Sequence, residues 1–359
     1  VGGFSMAFAI WVGAGTFDRF EGRFDFSGPI TEDGALLYRL TGLARESETQ
    51  VDFVEDDRIF VAPALTWAGE DTTLTLLAHY QHDDAGWSVQ FLPASGTLLD
   101  NPNGDIPRHT FVGEPDFDRY VLDQFSVGYL LEHRFNDVFT VRQNARYAYL
   151  DNEADLVYGF GLLDDRNLFR IGDIGRSELG TVAIDNQVQA KFDTGPVAHT
   201  ALLGVDFQHY DFSDFGASFD VDPLDVYDPD YGADLSAERF VYEDSDTEQR
   251  QIGFYFQEQA KLFDKLVILL GGRYDFARTE MANSFEDEFG VLQDTNATPK
   301  DQAFSGRPGL AYLFDNGFAP ATSANQISNV WDEFARGTFT FYVTGPWSIG
   351  EFKRRLPEG

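Results

Sequence analysis

Six histidines are the residues best able to serve as general bases or metal ligands, and they are scattered: His79, His82, His109, His133, His199 and His209. His79 and His82 fall on opposite faces of a period-two strand, so they make no metal pair. Cysteine is absent, which excludes disulfides, thiolate zinc sites and thiol nucleophiles. No GxSxG, HExxH or Walker sequence occurs. These absences argue against an enzyme. Two groups remain. The stretch "DVDPLDVYDPDYGAD" places Asp220, Asp222, Asp225, Asp228 and Asp230 in an acidic, turn-rich loop over residues 211–246. Such carboxylates suit Ca²⁺, which wants about 6–8 oxygens, although the glycine and terminal glutamate of an EF-hand are missing. A solvated external loop is the plainer reading. The second group is aromatic: Trp87, Phe91, Phe117, Tyr120, Tyr227 and Tyr231, all in long breaks, where a bulky and partly apolar ligand could lie.

The elements that must carry these residues read as strands. From about Gly22 to Asp315, apolar and polar residues alternate for about 9 to 15 residues and then break. The breaks alternate in length. Short ones are "TEDG", "GED", "FND", "DTG", "DK" and "DNG"; longer ones lie near 48–57, 83–121, 152–180, 213–247 and 282–301. All tight turns therefore share one end and all long loops the other. This predicts an all-β, antiparallel up-and-down transmembrane β-barrel of the outer-membrane type, partial, with about eleven strands. Strand length agrees, because a tilted membrane-crossing strand needs about 9–11 residues. In "LEHRFNDVFTVRQNARYAYL" the "FND" is then a periplasmic turn. Phe125, Val127, Tyr129, Leu131, Phe139, Val141, Ala145 and Tyr147 should face lipid, and Glu132, Arg134, Arg142, Asn144 and Arg146 the lumen. Lumen Arg39, Arg142, Arg146 and Arg273 should pair with Asp25, Glu132 or Asp275 across neighbouring strands.

Composition sets further bounds. A formal charge of −34 over 359 residues opposes nucleic-acid binding. No apolar run is long enough for a spanning helix. The opening "VGGFSMAFAIWVGAG" is apolar but lacks a basic start, so it is a weak signal peptide and residues 1–15 stay unassigned.

Several segments carry a family resemblance. "GRFDFSGPI", "LLYRLTGLARESETQVDFV", "TTLTLLAHYQHDDAG", "LLGGRYDFA" and above all "LPASGTLLDNPNGDIPRHTFVGEPDFDRY" resemble the barrel of TonB-dependent siderophore receptors of the ferric-hydroxamate kind, in order from about residue 16 to 320. The resemblance implies a barrel of about twenty-two strands around a plug. It implies a bacterial outer-membrane location and import of a ferric siderophore. The partners would be outer-membrane lipid, lipopolysaccharide and, in the intact parent, the TonB energy complex. The chelate is a transported ligand, and no tightly bound cofactor is implied. Neither plug nor TonB box is expected in this sequence. From residue 321 to 359 the pattern changes, and "FARG…GPW…GEF" resembles a segment of periplasmic sugar-binding proteins of ABC importers, a short α/β tail. The alternative functions are a periplasmic carbohydrate-binding protein, which the strand pattern contradicts, and a soluble β-rich surface protein.

Overall fold

The computed structural model describes residues 6–287 and 289–312. Every regular element among them is a strand: β1 (Ala7–Ala14), β2 (Phe20–Pro29), β3 (Leu36–Glu46), β4 (Asp56–Ala68), β5 (Thr72–Ala85), β6 (Arg119–Arg134), β7 (Phe139–Leu162), β8 (Asn167–Thr194), β9 (Val197–Asp225), β10 (Phe240–Leu262), β11 (Leu266–Glu286), β12 (Leu292–Ala297) and β13 (Lys300–Tyr312). Each strand up to β11 pairs antiparallel with its chain neighbour. β12 and β13 both pair with β11, one at its outer end and one along the rest. They form a single strand line interrupted beside Pro299, which has no N–H to give to a ladder. Its carbonyl still accepts from the Thr279 N–H at 3.0 Å. Residues 7–14, unassigned from sequence, join the sheet as β1, with Phe8 opposite Phe26. Among the described residues the sheet is open. The tail from 321 to 359 lies outside them.

The predicted short turns gather at one end, at residues 30–35, 69–71, 135–138, 195–196 and 263–265. At "FND" the Asn136 side-chain oxygen accepts from the N–H of Val138 and of Phe139, at 2.9 and 2.8 Å, which closes the turn. The other end differs from expectation. The predicted breaks 152–180, 213–247 and 282–301 are largely strand, since β7 to β11 run for 24, 28, 29, 23 and 21 residues. A crossing needs only about 9–11 residues, so these hairpins project well beyond the membrane. Out there water or other loops, rather than lipid, meets both faces, and the strict alternation that marks a membrane strand lapses. True connections there are 15–19, 47–55, 86–118, 163–166, 226–239 and 287–291, of which 163–166 is itself a tight turn.

The two faces separate as the alternation predicts. Leu203, Phe254 and Phe256 stand out on one side, 63%, 52% and 48% exposed, as a lipid-facing surface must. The other side carries cross-strand ion pairs. Arg39 holds Asp25 with two hydrogen bonds at 2.7 and 3.0 Å. Arg142 reaches Glu132 at 2.5 Å. Arg273 departs from the expectation: it pairs with Asp275 two residues along its own strand, at 2.6 Å, and donates to Asp206 of β9, two strands away, at 2.9 Å. Arg146 departs too, donating to the Ser126 hydroxyl at 3.3 Å. Gly204 is required on this face, because a Cβ there would collide with the Tyr255 ring.

Candidate ligand-binding face

The most buried apolar side chains lie at the outer end, not in mid-sheet. Ile106, Val112, Leu168, Leu224 and Val226 form one cluster; Val51, Val54 and Phe111 a second; Val157, Phe219 and Val221 a third. A single curved sheet buries little, so the long connections 86–118 and 226–239 supply the core by folding onto the tips of β7, β8 and β9. On β9 the buried Phe219 and Val221 continue the alternate series of Val205 and Phe207, which face outward lower down.

A buried charge cluster fixes these connections. Arg170 of β8 donates to the carbonyls of Val112 and Gly113 at 3.1 and 3.2 Å and to that of Asp222 at 2.9 Å. Its guanidinium lies 2.8 Å from the Glu114 carboxylate, whose other oxygen accepts from the Gly232 and Ala233 N–H groups. Asp118 accepts from the N–H of Glu114 and of Val157, at 2.9 and 3.1 Å. Burial pushes the Asp118 carboxyl up to about 7, although both N–H groups favour its charged form. Gly113 is glycine because a Cβ would strike the Asp118 carboxylate. The segment "GEPDFD" is thus a clasp.

The six predicted aromatics divide between two faces. Phe117, Tyr227 and Tyr231 belong to the cores: Phe117 stacks edge-on against Phe219 at 5.8 Å, Tyr231 donates to the Phe111 carbonyl at 3.0 Å, and Tyr227 lies under Arg166. Trp87, Phe91 and Tyr120 lie on the other side. Trp87 meets Tyr120 at 5.9 Å, and Phe91, 55% exposed, meets Tyr158 edge-on at 5.7 Å. Tyr120 and Tyr158 fall in the alternate series of lumen-facing Ser126 and Arg146. On the same series Asp173 accepts from the Tyr242 hydroxyl at 3.2 Å. Burial raises the Asp173 carboxyl, and burial with the Asp173 charge pushes Tyr242 up to about 12. Trp87, Phe91, Tyr120, Tyr158, Asp173 and Tyr242 therefore make a lumen-side face of rings and phenols above the membrane. Sequence reasoning missed Tyr158, Asp173 and Tyr242 because it placed them in loops. The strand parity counted from Arg146 would have found Tyr158.

The five aspartates are not gathered as expected, because strand β9 runs through the supposed loop. Asp220 and Asp222 are exposed on β9, Asp225 at its end is 2.7 Å from Arg166, and Asp228 and Asp230 follow, exposed, in 226–239. Extended backbone spreads them along the strand.

A long-stranded antiparallel sheet, with an apolar outer face, a charged inner face and folded outer connections, defines an outer-membrane β-barrel of the receptor class. The family "TonB dependent receptor-like, beta-barrel" matches residues 62–347, and the chain belongs to it. That match runs past residue 321, into the segment where the sequence pattern changes. Among curated relatives, the "Ferrichrome outer membrane transporter/phage receptor" of Escherichia coli (strain K12) is 35% identical, covering 87% of this chain and 44% of that protein. The "Ferrioxamine B receptor" of Salmonella typhimurium (strain SL1344) is 32% identical over 86% of this chain and 43% of that protein. The chain thus spans less than half the length of these relatives. Among solved structures, the ferric-catecholate import receptor Fiu of Escherichia coli K12, in its closed form, superposes with a TM-score of 0.71 at 16% identity, over 88% of this chain and 49% of that one. At that identity the likeness is one of fold. The chain is an outer-membrane barrel segment, and the named relatives are transporters and receptors.

Proposed function

We propose that this barrel segment serves a receptor that imports a ferric siderophore of the hydroxamate class across the bacterial outer membrane, with no chemistry on the chelate. The observation that carries the reading is the lumen-side face of Trp87, Phe91, Tyr120, Tyr158, Asp173 and Tyr242, in a chain whose curated relatives at 32–35% identity are named for ferrichrome and ferrioxamine. Rings offer broad apolar contact to a bulky chelate, and phenols offer the few polar groups that orient it. Phe117, Tyr227 and Tyr231 act behind this face by holding the connections in place. Energy comes from the TonB complex acting on the intact receptor, and lipid and lipopolysaccharide surround the outward face.

Quenching of tryptophan fluorescence tests the reading, with Trp87 as reporter. Saturable quenching by ferrichrome or ferrioxamine B, lost in Trp87→Phe, is expected. Saturable quenching by a ferric catecholate and by neither hydroxamate would overturn the assigned ligand class.

A further inference from the structure

At the outer lip of the membrane, β9, β10 and β11 bring like charges together. Asp211 is directly opposite Glu248, and Glu248 is directly opposite Glu280, so three carboxylates stand side by side on one rung. Like charges in cross-strand positions repel unless a cation intervenes. The next rung down holds His209, Arg250, Arg278 and Lys300, again directly opposite one another. Arg250 pairs with Glu248, and Arg278 with Glu280 at 2.8 Å. Both rungs lie on the outward series that carries Phe207, Ile252 and Phe276 below them. His209 is twelve residues above Val197 at the turn. At about 3.4 Å per residue and a tilt of about 40° this is roughly 30 Å, just clear of the apolar band.

His209 is held in a particular way. Its Nε2 lies 2.8 Å from Asp211 Oδ2, and Phe207 stacks beside the ring. Its Nδ1 is sealed from solvent, makes no hydrogen bond, and lies 3.9 Å from Glu248 Oε1. With the proton on Nε2, donated to Asp211, Nδ1 presents a bare lone pair to a carboxylate that cannot donate to it. A carboxylate fixing one imidazole nitrogen while the other faces a second anionic oxygen is the arrangement that orients histidine for a metal. Tetrahedral ligands on bonds of about 2.0–2.2 Å lie about 3.3–3.6 Å apart, so a side-chain shift of about half an ångström closes the gap on a small cation. His209, Asp211 and Glu248 are the one group of three or more such residues, among the described ones, whose ligand atoms lie within 4.8 Å of one another.

We infer that His209 Nδ1 and Glu248, with Asp211 orienting the imidazole, form an outer-face site for a divalent transition metal of the Zn²⁺ class. The imidazole selects against Ca²⁺ and Mg²⁺, which prefer oxygen alone. Water completes the coordination. The Arg250 guanidinium is the built-in competitor, because it neutralises the same Glu248 carboxylate that the metal needs. The site is independent of the siderophore reading.

The test is Zn²⁺ titration of the chain purified from outer membranes in detergent, against a chromophoric chelator, with Co²⁺ absorption as a check on nitrogen ligation. One Zn²⁺ per chain is expected. His209→Ala and Glu248→Gln should each weaken binding by more than tenfold, and Asp211→Asn by about 10–100-fold. Arg250→Gln should tighten it, a gain that misfolding cannot produce. Zn²⁺ affinity unchanged by His209→Ala, or weakened by Arg250→Gln, would overturn the assignment.

Discussion

Arg170 and Glu114 meet at 2.8 Å with side chains only 1% and 4% exposed, joining the tip of β8 to a connection fifty-six residues earlier in the chain. Neither charge could be buried alone. Together, with the carbonyls and N–H groups that surround them, they hold connections 86–118 and 226–239 on the hairpin tips.

Removing one partner should therefore cost far more than the pair contributes. Arg170→Ala leaves Glu114 buried and unpaired, and a loss of about 3–5 kcal/mol in the stability of the outer end is expected. The double variant Arg170→Met with Glu114→Gln should recover much of it. Protease protection of 86–118 under native conditions reports both.

Asp118 makes the same region sensitive to pH. Its carboxyl sits at about 7 in the folded state, above the ordinary value near 3.9, so folding takes up a proton between those limits. The outer end should gain stability as pH falls from about 7 to 4 and lose it as pH rises through that window. Hydrogen exchange in 86–118, corrected for intrinsic rates, should show the slope in the parent and not in Asp118→Asn.

On the lumen-side face, Phe91 is exposed and packs edge-on to Tyr158. Phe91→Ala should leave the fold intact and weaken ferric-hydroxamate binding by about tenfold, on the order of 1.4 kcal/mol. Phe117→Ala, by contrast, should lower stability first, because its ring fills a core. Affinity by fluorescence alongside thermal melting separates the two.

Face assignment can be tested within the membrane. Leu203→Arg puts a charge on the lipid side near mid-bilayer and should cost about 2–4 kcal/mol. An arginine at neighbouring Leu202, on the lumen side beside Gln189, should cost much less. Reversible folding into lipid vesicles measures the difference.

Period-two alternation and the order of short and long breaks were enough to determine the strand architecture, the end carrying the predicted short turns, and the cross-strand pairings of Arg39 and Arg142, though not that of Arg273, which pairs along its own strand and with Asp206 two strands away. Those features are local: neighbours two residues apart share a face, and a hairpin fixes which residues oppose each other. The candidate site was legible only in part. Trp87, Phe91 and Tyr120 could be chosen as loop aromatics, but nothing local separated them from Phe117, Tyr227 and Tyr231. Tertiary packing did that, by burying one set under connections that arrive from distant parts of the chain. It also made strand of segments whose alternation lapses beyond the membrane, which set Tyr158 beside Phe91 and Tyr242 beside Asp173, and spread the five aspartates along β9 and the connection that follows it. Glu248 faces Glu280 across a tight hairpin, but that Asp211 joins them on the rung depends on register across the long connection 226–239, which is a property of the assembled sheet.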